Sequence, residues 1–156
     1  MKNTLLVALV LLPLAALAQH TAPAGVDPNA PVQPLPDRKD VVSWKTFAQV
    51  ELVKQKDRYV PQFSPTVAAL HEKEVKIQGF MMPLEMGEKQ SHFVLAAMPV
   101  TCAFCLPGGP ESMVEVKMKT PVKYSFDALV VTGKLAVMRD DPTGMFYRIV
   151  DAVPAK

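Results

Sequence analysis

From Met113 to Lys119 the chain reads Met-Val-Glu-Val-Lys-Met-Lys, and no other stretch restricts its fold as tightly. Val114, Val116 and Met118 alternate with Glu115, Lys117 and Lys119. A period of two lays apolar side chains on one face of a strand and charges on the other, whereas a helix would scatter both sets around its circumference. The chain therefore has to build a sheet and bury one side of it.

The neighbouring stretches extend that sheet. Val75 and Ile77 alternate with Lys76 and Gln78 until Gly79 interrupts, which marks a bulge or sharp bend. Phe93 to Met98 is a short apolar run, and segments 128–138 and 145–153 flank Asp140-Asp141-Pro142-Thr143-Gly144, a good hairpin turn. Upstream, Ser43 is placed to N-cap a short helix carrying Trp44, Phe47 and Val50 on one side. Tyr59 to Pro65 is prolyl and extended, and Thr66 to Glu72 has room for one or two helical turns. These elements predict a mainly β fold: a small OB-like five- to six-stranded antiparallel barrel with one or two short helices, and a small sandwich as the second architecture. No internal repeat is visible.

The first eighteen residues have another purpose. Lys2 gives a short positive region, Leu5 to Leu12 an apolar core, and Ala16-Leu17-Ala18 a small-x-small cleavage site. Pro13 interrupts the apolar run, which is shorter than the ~20 residues of a membrane span. Residues 1–18 are thus expected to be a cleaved signal peptide that directs the chain to the periplasm, with no stable membrane insertion afterwards. Residues 19–40 hold five prolines (Pro23, Pro28, Pro31, Pro34 and Pro36) and read as a spacer. The folded domain is expected over 41–156. Cleavage removes one lysine and no acid from a chain of net charge +2, so the balance offers nothing to nucleic acid or to an anionic membrane.

The run Val75-Lys76-Ile77-Gln78-Gly79-Phe80-Met81-Met82-Pro83-Leu84-Glu85 resembles the signature of a family of small exported bacterial proteins classed as a domain of unknown function. That family follows the signature with an apolar strand, a cysteine-containing Pro-rich loop and another strand. Phe93 to Met98, Cys102 with Pro107-Gly108-Gly109-Pro110, and Val114 to Met118 match these parts, and the likeness extends from Trp44 to the last hairpin. Many relatives carry a histidine two positions after the cysteine; here Phe104 stands there and the second soft position is Cys105. The resemblance implies an accessory role in envelope transport or metal-ion homeostasis, with zinc as the ion.

Cys102 and Cys105 are the only cysteines, in one Cys-x-x-Cys turn. An exported chain with two cysteines commonly pairs them, although so small a ring adds little stability. A redox couple needs a thiol activated at a helix start or beside a cation, and Leu106-Pro107-Gly108-Gly109-Pro110 cannot begin a helix. A metal site needs two thiolates and one or two further ligands. If 75–83 and 92–99 pair antiparallel, His92 falls about 20 Å from the loop at ~3.3 Å per residue, whereas His71 falls at the loop's end of the sheet. His71 is therefore the candidate third ligand, with Met98 and Met113 as flanking thioethers. Met81, Met82, Met86 and His92 make a lesser candidate for Cu(I), against their ordinary use as core filler.

No Ser/His/acid set appears, and Gly108-Gly109 lacks the Lys-Ser/Thr of a phosphate loop. The expected function is non-enzymatic. The chain would be a periplasmic accessory protein holding zinc, or secondly copper, at Cys102, Cys105 and His71, and serving an envelope transporter or other membrane-protein partner. The alternative is an interaction module with a structural Cys102–Cys105 disulfide and no cofactor. A thiol–disulfide oxidoreductase ranks third.

Overall fold

Five strands carry the alternating pattern and close into a ring. The computed structural model describes residues 35, 36, 38–99 and 108–156; residues 1–18, most of the Pro-rich spacer and the cysteines at 102 and 105 lie outside them. The barrel strands are β3 (Glu74–Pro83), β4 (Lys89–Ala96), β5 (Met113–Lys123), β6 (Leu129–Val137) and β7 (Tyr147–Pro154), in the order β3-β4-β5-β7-β6 and back to β3. Counted within the barrel this is 1-2-3-5-4, an OB-like closed barrel.

The expectation of a purely antiparallel barrel is corrected in one ladder: β5 and β7 pair parallel, Glu115 opposite Arg148 and Val116 opposite Ile149. The cause is geometric. Strand direction can alternate all the way round a ring only if the number of strands is even. With five, one neighbouring pair must run the same way.

The alternation of β5 sorts as expected: Val114 and Val116 are fully buried inside, and Met118 packs on the same core. Ile77, Phe93, Leu95, Val131 and Ile149 meet them from the other strands. Gly79 stands where β3 passes from β6, its partner over 74–79, to β4, its partner over 80–83. A Cβ there would lie 2.7 Å from the Ala96 carbonyl oxygen and from Leu95 Cγ, so the close crossing admits glycine only. The turn at 140–144 joins β6 to β7 as expected, with Val137 opposite Tyr147.

The barrel end at which β3 and β7 begin is covered by α1 (Trp44–Phe47), the hairpin β1 (Val50–Gln55) with β2 (Arg58–Phe63), and α2 (Pro65–Ala68). Ser43 caps α1 by accepting from the Lys45 N–H, but the helix ends at Phe47 and Val50 opens a strand. The extended 59–65 stretch is the returning arm of that hairpin, whose turn puts Lys56 at φ 54°. Ser64 caps α2 with Pro65 in its first turn, the position where a missing N–H costs least. Phe47 stacks on Tyr147 at 4.7 Å between ring centroids, and the buried Tyr147 hydroxyl donates to the Phe47 carbonyl at 2.6 Å. One side chain thus ties the cap to the barrel across 100 residues of sequence.

Candidate functional site

The cysteine loop leaves the barrel between β4 and β5. Ala96 opposite Met113 is the last pair of that ladder, and the Ala97 N–H donates to the Ser112 carbonyl at 3.1 Å just beyond it. A 3-10 turn over Pro110–Ser112 closes on Gly109 and gives the returning chain a fixed base. Cys102 and Cys105 fall in 100–107, outside the described residues.

What stands beside this base explains the tryptophan-bearing segment. Over 74–79 β3 pairs with β6, and β4 joins it only from Phe80 onward. In place of a strand, the Val42 N–H donates to the Lys76 carbonyl and the Trp44 indole N–H to the Gln78 carbonyl, both at 2.8 Å. Backbone acceptors in a half-buried seam need such partners. Glu111, in the 3-10 turn, also acts on this region: burial first, and then the charge of Glu111, push the Tyr147 hydroxyl well above the ordinary tyrosine pKa.

His71 follows α2 and precedes β3, so it belongs to the barrel end from which the cysteine loop departs. Its ring is exposed, and Nδ1 accepts from the Val137 N–H at 3.1 Å. In the neutral ring the proton then sits on Nε2, so ligation through either nitrogen requires the ring to leave this bond. Met98 is exposed and Met113 is buried. The lesser methionine set does not converge: Met81 is in the core, Met86 is fully exposed, and His92 is engaged elsewhere. Among the described residues no three His, Cys, Asp or Glu side chains gather as a metal centre.

His92 belongs instead to a charged chain on the outer face of the barrel, which the sequence reading missed. Its Nε2 lies 2.7 Å from Glu115 Oε1, while Arg148 Nε donates to Glu115 Oε2 at 2.5 Å and the same guanidinium reaches Asp141 Oδ2 at 3.1 Å. Glu115 is buried, at 8% exposure, despite facing away from the core. Burial alone would raise its pKa, but the His92 and Arg148 hydrogen bonds outweigh it and hold the carboxyl below the ordinary range. Asp141 is held down as well, first by the Thr143 hydroxyl. The only sequence signal was an acid between Val114 and Val116. Its partners lie on two other strands, beyond any local pattern. The arrangement binds β4, β5, β7 and the 138–146 loop together, and each member has a hydrogen-bond partner within it, as a structural network does.

A solved crystal structure of a DUF3299 family protein from Pseudomonas aeruginosa PAO1 is similar at 22% identity, over 59% of this chain and 67% of that one, with a TM-score of 0.42. No curated protein matches the chain. The family model described as "Protein of unknown function (DUF3299)" matches residues 22–146, and the chain belongs to that family.

Proposed function

We propose that the chain is an exported accessory protein that holds a soft metal ion, zinc first and copper second, through Cys102 and Cys105 with His71 as third ligand. The supporting observation is that His71, between α2 and β3, shares one barrel end with the base of the cysteine loop, which the Ala97-to-Ser112 hydrogen bond fixes. Two thiolates and an imidazole form a ligand set suited to zinc or Cu(I). Ligation exchanges the Val137 hydrogen bond for a metal bond, which costs about 1 kcal/mol. In this reading residues 1–18 deliver the protein to the periplasm, where it passes its ion to an envelope transporter or another membrane protein.

The test is metal content and free-thiol titration of protein purified from the periplasm. Stoichiometric zinc or copper with two free thiols, lost in Cys102→Ser and weakened in His71→Ala, supports the reading. A formed disulfide that takes up no metal after gentle reduction and reloading sinks it. The second reading, an interaction module stapled by a Cys102–Cys105 disulfide, draws on the His71 ring being already committed to backbone. It predicts that disulfide, and a fold unaffected by His71→Ala.

A further inference from the structure

We propose that the far half of β5, with the start of β4, is a docking face for an extended acidic segment of a partner protein. Met118 and Val122 pack on the core, so their strand neighbours Lys117, Lys119 and Lys123 face outward, and all three are exposed. Lys89, the first residue of β4, stands directly opposite Lys123 in the ladder. Like charges in that relation are destabilising. Among the described residues Lys89, Lys119 and Lys123 form no ion pair, and Lys117 stands 4.0 Å from Glu115, whose closer partners are His92 and Arg148. The β7 ladder ends at Met118, and Lys119 with Pro121 is how a protein keeps such an edge from pairing with another strand. Edge protection does not require Lys89 opposite Lys123; a missing counter-charge accounts for both.

The shape of the face selects the polyanion. The lysines run along one strand over at most about 20 Å, and an extended peptide repeats same-side residues every ~7 Å, so carboxylates at alternate positions match Lys117 and Lys119. The row ends at a shallow depression lined by Gly87, Glu88, Lys123 and Tyr124. Exposed Met86 and Phe126 stand beside it, on the loops that leave β3 and β5 at this end of the barrel. An apolar residue at the end of the acidic segment fits there. Single-stranded nucleic acid needs aromatic platforms between its cations, and Tyr124 and Phe126 pack on each other beyond the row instead. An anionic bilayer touching the tip would meet Glu85, Glu88 and Asp127 together with the two nearest lysines.

Fluorescence anisotropy with a labelled (Glu-Ser)4-Leu peptide tests this on the full chain. Binding is expected at 50 mM NaCl and to weaken steeply by 300 mM, as screening of a charged interface requires. Lys123→Glu should weaken it at least about fivefold, while the new cross-strand pair with Lys89 leaves the urea midpoint unchanged or raised. That split separates a docking role from a structural one. The proposal is overturned if the peptide binds no better than (Lys-Ser)4-Leu or if Lys123→Glu binds it as before. Tighter binding of oligo-dT, or of vesicles containing phosphatidylglycerol, at the same lysines would also overturn it.

Discussion

Replacing Arg148 by methionine keeps a long apolar stem against the barrel and removes the guanidinium. Glu115 then loses the donor to Oε2 in a site where its side chain is only 10% exposed, so water replaces the lost bond poorly. A hydrogen bond to a charged group is worth ~1.5–3 kcal/mol in such surroundings. Asp141 keeps its Thr143 contacts, and its loss adds about 0.5 kcal/mol. The variant should therefore lose about 2–4 kcal/mol at pH 7.

The sign of the pH dependence follows from the direction of the shift. The folded Glu115 pKa is depressed, so its contribution is fully present above the unfolded value of about 4.3 and is lost as pH falls through the folded one. Without Arg148 its hydrogen bond and its charge no longer lower the Glu115 pKa, and the folded value rises. The deficit of the variant is thus greatest at neutral pH and shrinks towards pH 4. Urea unfolding followed by the fluorescence of the single tryptophan measures it at pH 7 and pH 4.5. In a double-mutant cycle Glu115→Leu/Arg148→Met should recover much of the loss, because no orphaned carboxylate remains. A cost under about 0.5 kcal/mol at pH 7, equal costs at the two pH values, or zero coupling would refute the network as a source of stability.

Other positions give independent outcomes. Gly79→Ala forces a Cβ against the Ala96 carbonyl and Leu95, and should cost ~1–3 kcal/mol in thermal or urea unfolding. Tyr147→Phe leaves the Phe47 carbonyl without its buried donor and should cost ~1–3 kcal/mol, with faster amide exchange in α1 than in β6. Trp44→Phe removes the donor to the Gln78 carbonyl in a half-buried seam and should cost ~0.5–1.5 kcal/mol.

Local pattern made much of the barrel legible. The period-two run at 113–119, the glycine break at 79 and the turn at 140–144 each depend on residues close in sequence, and each element forms where they indicate. The hairpin over 50–63 escaped because its turn, Lys56-Asp57, contains neither glycine nor asparagine, and because Trp44, Phe47 and Val50 mimic a helical stripe. The parallel ladder escaped for another reason: which non-adjacent strands become neighbours is a property of the whole ring. Of the candidate site, the shared end of His71 and the loop base was readable from strand direction. The Val137 N–H on the His71 ring was not, since it comes from the far end of β6. The alternation puts Glu115 on the charged face, and its burial there depends on His92 and Arg148 from strands on either side.

Closure of the barrel also decides how the molecule opens. In a ring each strand is held on both flanks, so no outer strand can peel away alone, and two ladders must break before any one is free. Amides of β3 to β7 should accordingly exchange together at close to the global unfolding free energy. The β1–β2 ribbon is a two-stranded sheet outside that ring, held at its tip by an exposed Arg58–Asp140 pair. Its amides can exchange through a smaller opening that leaves the ring intact, so a single chain carries one unit that yields all at once and another that breathes.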